Sequence, residues 1–135
     1  MADLAAKTTV YRAQTAAVST AGNDASYSIK VTEAGTVSSV SYSPVAALSG
    51  ANTNSRTLNL VNKGQTGAGS TSVASLALVS GTNLVAFDEI AVTLSGTAAN
   101  LVVAAGDILQ FQSLHVGTGI TDPGGEVEVV VTRTA

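Results

Sequence analysis

The stretch Tyr27-Ser28-Ile29-Lys30-Val31-Thr32-Glu33 alternates strictly, with Tyr27, Ile29 and Val31 on one face and Ser28, Lys30 and Thr32 on the other. A period of two belongs to a strand with one buried face and one wet face. Working outward, residues 36–45 repeat the pattern, with Val40 and Tyr42 against Ser39, Ser41 and Ser43. Val37 is out of phase, and a one-residue bulge near Ser38 and Ser39 restores the register. Glu33-Ala34-Gly35 has the length and the glycine of a hairpin loop, so residues 27–45 read as one hairpin.

The same rule carries through the rest of the chain. Residues 56–62 form a strand with Leu58 and Leu60 inward, and residues 72–80 form one with Leu76 and Leu78 aligned. Residues 108–116 form another, and the last strand, 126–134, turns Val127, Val129 and Val131 inward and Glu128, Val130 and Thr132 outward. The polar stretch 49–55, with Gly50, Asn52 and Asn54, is long enough to cross between sheets. Gly64, Gly67 and Gly69 mark a hairpin loop, Gly81 with Asn83 and Ala105-Gly106-Asp107 mark turns, and the last loop holds Gly117, Gly119, Pro123, Gly124 and Gly125. Residues 84–94 contain two alternating halves, Val85 with Phe87 and then Ile90, Val92 and Leu94. Their phases disagree across Asp88 and Glu89, which marks a bulge or an exposed turn. Eight strand candidates bounded by turns predict an all-β fold, an antiparallel β-sandwich with the jelly roll as the first topology to test. Residues 1–24 are assigned to an extended N-terminal arm with a weak strand at 8–13, and residues 25–135 to the sandwich domain.

At 135 residues the chain has room for one domain. Only 11% of its residues are charged, against about 25% in an ordinary soluble domain. Six Lys and Arg and a net charge of -3 leave no basic field for a phosphate backbone, so nucleic acid is excluded as a partner. Cysteine is absent, which removes disulfides and thiolate metal sites. The N-terminal residues lack the charged and apolar regions of a signal peptide, and no apolar run is long enough for a membrane span. Synthesis in a cytoplasm, with no membrane partner, is the expectation.

Candidate chemistry is sparse. His115 is the single histidine and would need acids and a nucleophile brought to it by the fold. Asp88 and Glu89 are adjacent, so in a strand they point to opposite faces and cannot work as an acid and base pair. Asp107 and Asp122 sit beside Gly106 and Pro123, where aspartate caps turns through its own carboxylate. The glycines at 64, 67 and 69 lead into a strand, with no helix N-terminus to hold a phosphate. Of the five aromatic residues, Tyr11, Tyr27, Tyr42, Phe87 and Phe111, at least three are needed for the core. The residues therefore predict no enzyme, no cofactor and no metal, and a structural or binding module instead.

One resemblance sharpens that expectation. Its frame is Gly106-Asp107, a strand, Gly117-Thr118-Gly119, the loop Pro123-Gly124-Gly125, and a Val-rich strand. Upstream, Arg56-Thr57-Leu58-Asn59-Leu60-Val61-Asn62-Lys63-Gly64 and Gly67-Ala68-Gly69-Ser70-Thr71 extend it, so that it spans roughly residues 55–134. In these features the chain resembles the small virion proteins of tailed bacteriophages, and among them the head decoration, or cement, proteins. The resemblance implies a Cys-free β-sandwich made in the host cytoplasm and carried on the virion, sitting as a homotrimer on the outer surface of the major capsid protein. It further implies that the arm contacts capsid or a neighbouring subunit, with Leu4, Lys7, Val10, Tyr11 and Arg12 as the contact residues. A tail or fibre sandwich and a carbohydrate-binding adhesin module are the alternatives.

Overall fold

The computed structural model describes residues 7–133. The alternating segments become strands that share out between two antiparallel sheets. In chain order they are β1 (Lys7–Thr15), β2 (Ala25–Lys30), β3 (Gly35–Pro44), β4 (Ser55–Asn62), β5 (Thr71–Ala77), β6 (Ile90–Ala91), β7 (Thr93–Leu94), β8 (Val102–Val103), β9 (Ile108–Val116) and β10 (Gly125–Arg133). One sheet runs β1-β10-β3-β6, with β8 also paired to β3, and the other runs β2-β9-β4-β5-β7. In the first sheet β10 lies between β1 and β3, and β3 takes β6 over two residues on its other side; in the second β9 lies between β2 and β4, and β4 pairs β5 as a hairpin across the glycine loop.

The inward faces meet in one core. Val37, Val40, Tyr42, Val127, Val129 and Val131 come from one sheet, facing Ile29, Leu58, Leu60, Leu109 and Phe111 of the other. The rings of Tyr42 and Phe111 stack across the core with centroids 5.6 Å apart. Each such side chain, fully buried, stabilises the fold by about 1.5–3 kcal/mol. The bulge expected at Ser38 and Ser39 is present: Val130 faces Ser39 while Val131 faces Val37, which leaves Ser38 unopposed. A second bulge, in β5, lets Val73 and Ala74 both reach the core.

Two expectations are corrected. Residues 27–45 do not form a hairpin, because β2 pairs β9 and β3 pairs β10, in different sheets. The link between them crosses the sandwich, with Val31 fully buried and bonded through its backbone to Asp107 and Gly106. Gly35 does not serve a turn; a Cβ there would lie 2.7 Å from the Thr132 carbonyl, so glycine is required by close packing on β10. Residues 84–89 are also not half of a strand. Val85 and Phe87 are exposed in a turn, and the chain joins the sheets only afterwards, β6 on β3 and β7 on β5.

The segment assigned to an arm lies on the sandwich from Lys7 onward. Over Lys7–Thr15 it is an edge strand, in register with β10 along its whole length. Beyond it, Val18 bridges to Asp122, and the polar stretch 49–55 makes the expected crossing between sheets.

Candidate functional site

Four of the five expected contact residues fall on β1, and Leu4 lies outside the described residues. Lys7, Val10 and Arg12 are exposed, and Arg12 reaches across to β10, where its Nε lies 2.9 Å from Glu128 and 3.7 Å from Glu126. Tyr11 points away from Val10 and Arg12, on the face that Lys7 shares at the strand's start, packs against the core and hydrogen-bonds through its hydroxyl to the Thr32 side chain and backbone N–H, both at 3.1 Å. The contact set is therefore split between two faces of one strand.

The titratable candidates separate as well. His115 sits at the end of β9, and its Nδ1 lies 2.6 Å from Asp24, whose same oxygen accepts the His115 backbone N–H at 2.8 Å. That backbone bond, then the ring bond, holds the Asp24 carboxyl below its ordinary range. Two members of a catalytic triad are thus present, but among the described residues no hydroxyl bonds the ring's other nitrogen, and the pair is solvated. Asp107 caps its turn as expected, accepting from the Ala104 N–H at 2.9 Å and from Asn62 at 3.0 Å, bonds that lower its pKa. Asp88 and Glu89 are both exposed. No group of three His, Asp or Glu side chains able to hold a metal ion occurs among the described residues. No described helix is long and apolar enough to cross a membrane.

Asp122 does more than cap a turn. It is buried, and its Oδ1 accepts from the Gly124 N–H at 2.9 Å and the Tyr42 hydroxyl at 3.0 Å. Its Oδ2 accepts from Ser113 at 2.5 Å. On the far side of Ser113 stands Arg56, fully buried, with Nη1 on the Ser113 carbonyl and hydroxyl, Nε on the Ile120 carbonyl and Nη2 on the Ala21 carbonyl. Sequence reading missed this network, yet its own signal was present: the alternation that turns Leu58 and Leu60 inward also turns Arg56 inward. The network ties the β1–β2 and β9–β10 connections to the sheet. It ends at Thr15, whose hydroxyl lies 3.3 Å from that of Tyr42. Burial first, and then the Asp122 carboxylate, push the Tyr42 phenol far up, against the opposing pull of the Thr15 hydrogen bond.

Thr15, with Gly124 and Gly125, opens onto a groove of about 440 Å³ at this end of the sandwich, whose rim carries Val45 and Phe87. A neighbouring hollow of about 390 Å³ is lined by residues 46–49, Ile120, Thr121 and Pro123. Phe87 is 81% exposed and, among the described residues, is the non-glycine residue with a positive φ, +59°. Its conformation is fixed by two bonds: its own N–H donates to the Pro44 carbonyl at 2.7 Å, and the Asp88 N–H closes the turn on Val85 at 3.0 Å. The left-handed region costs an L-residue about 1–2 kcal/mol, and such strain collects where a side chain is presented for function. Val45 and Val85, 50% and 56% exposed, extend the apolar surface. This end thus gathers exposed apolar side chains around two hollows. In comparison with known proteins, the chain matches no family model, no curated protein and no solved structure.

Proposed function

We propose that this chain is a structural virion protein that binds the outer surface of a phage capsid and stabilises it by bridging capsid subunits, with no catalytic role. The observation that carries the reading is the Phe87 end: an apolar tip held out in water on a strained turn that backbone hydrogen bonds to Pro44 and Val85 hold in place. A sandwich with few charges can bury hydroxyl-rich surface on a neighbour at little desolvation cost. Many such contacts over a lattice reinforce one another. The pairing of first-half with second-half strands supports the jelly-roll topology, and the resemblance over residues 55–134 supports the decoration class and its trimeric state.

One observation favours a second reading. An exposed aromatic ring on a groove that also carries Gln14, Thr15, Ser43 and Glu126 is also the platform of a carbohydrate-binding adhesin module. The two readings part in a single experiment. Undecorated heads, assembled from the major capsid protein of the same genome, are heated with and without the purified chain, whose mass is measured by light scattering. The decoration reading predicts a trimer and a raised disruption temperature. A monomer that leaves the heads unchanged, and binds glycan in its place, would favour the adhesin.

A further inference from the structure

We infer that residues 85–89 are the plug by which this chain docks, Phe87 entering an apolar socket on the capsid protein that is rimmed by Lys or Arg side chains. The inference rests on the capsid reading above and adds the contact and its chemistry. Five consecutive residues of this loop are exposed, and the turn spends backbone strain to hold an aromatic ring in water. The core does not use that ring: it lies outside the hydrophobic cluster and is largely in water. A side chain of this size, rigidly presented, supplies large contact area at low entropic cost on binding.

Charge chooses the partner. Asp88 and Glu89 follow the ring directly, and neither is in an ion pair among the described residues, whereas Asp24, Glu33, Glu126 and Glu128 each face a cation or the histidine. A socket that receives Phe87 therefore meets two uncompensated carboxylates and must answer them with basic groups. The two hollows at this end of the sandwich, into which a second copy would have to take the ring, carry no Lys or Arg in their lining, and Glu126 lines the nearer one. The loop is therefore assigned to the capsid protein, with a basic rim, and self-association of the purified chain that is lost in Phe87→Ser would overturn that assignment.

The test measures binding to undecorated heads for the wild type, Phe87→Ser, Phe87→Asn and the double variant Asp88→Asn with Glu89→Gln, each at low and high salt. Phe87→Asn keeps the left-handed turn and so separates loss of the ring from loss of the fold. Both Phe87 variants are expected to bind at least about tenfold more weakly with unchanged circular dichroism, as for a central aromatic contact. The double variant is expected to lose about three- to tenfold at low salt and to show a flatter salt dependence. Equal binding by all four proteins would overturn the plug while leaving the capsid reading intact. A wild type that ignores heads overturns both, and if it then captures glycan through Phe87 the socket is a sugar site.

Discussion

Arg56 and Asp122 are buried at one end of this sandwich, close enough to share a partner, yet they form no ion pair with each other. The Ser113 hydroxyl stands between them, accepting from Arg56 Nη1 at 3.3 Å and donating to Asp122 Oδ2 at 2.5 Å. Every other strong donor or acceptor around them is also engaged, so that two charges with a high desolvation cost are carried by a chain of bonds.

That arrangement predicts steep losses when one link is removed. Arg56→Met leaves the Ala21, Ile120 and Ser113 carbonyls without their donor, and is expected to cost several kcal/mol, about 1–3 kcal/mol for each stranded acceptor. Ser113→Ala strands one oxygen of Asp122 and is expected to cost about 1–3 kcal/mol. Urea unfolding of the single and double variants checks both. In the double-mutant cycle the combined loss should fall short of the sum, since both act on one network.

Tyr42 gives the network an alkaline signature. Its phenol is held neutral well above the ordinary tyrosine range, first of all by burial. A pKa raised on folding contributes stability that is complete below the unfolded value, about 10, and is lost as pH rises through the folded one. The wild type should therefore lose stability between pH 10 and the pH of unfolding. Tyr42→Phe, weaker at neutral pH for want of the bond to Asp122, should show a shallower decline when urea midpoints are compared at pH 8 and 11.

The acid limb has the opposite sign. Asp107 and Asp24 both have depressed pKa values, through backbone bonds from Ala104 and His115 respectively. Their contributions are present above the unfolded carboxylate value, about 3.9, and vanish as pH falls below it through the folded values. Asp107→Asn should flatten the stability profile below pH 4 and leave the alkaline limb untouched.

At Phe87 a substitution should help the fold. Because the side chain is solvated and the backbone is left-handed, Phe87→Asn removes little burial and relieves strain. Thermal unfolding should show no loss, and a gain of about 0.5–1 kcal/mol. Gly35→Ala should do the reverse, by about 1–3 kcal/mol, since the new methyl meets the Thr132 carbonyl and a Val131 methyl.

These positions also show what the sequence made legible. Alternation identified the inward faces of β2, β4 and β10 and even the bulge at Ser38, because a half-buried strand writes its period into its own residues. Partners are written nowhere so locally. Glu33-Ala34-Gly35 has the composition of a turn, yet it bridges the sheets, since Gly35 is selected by closeness to β10 and not by a positive φ. Residues 84–89 have the period of a strand, but the turn closing on Val85 breaks it and leaves Phe87 in water. The Arg56 network escaped because a charged residue at an inward position was not followed along its own alternation. The pairing of Asp24 with His115, far apart in the chain, had no signal in spacing at all.

The most direct test of the account is saturation binding of the purified wild-type chain to undecorated heads, read by co-sedimentation. The account predicts saturable binding at a fixed number of copies per capsid subunit, weakened when Phe87 is replaced by Ser. A supernatant that keeps all of the protein at every concentration would contradict it.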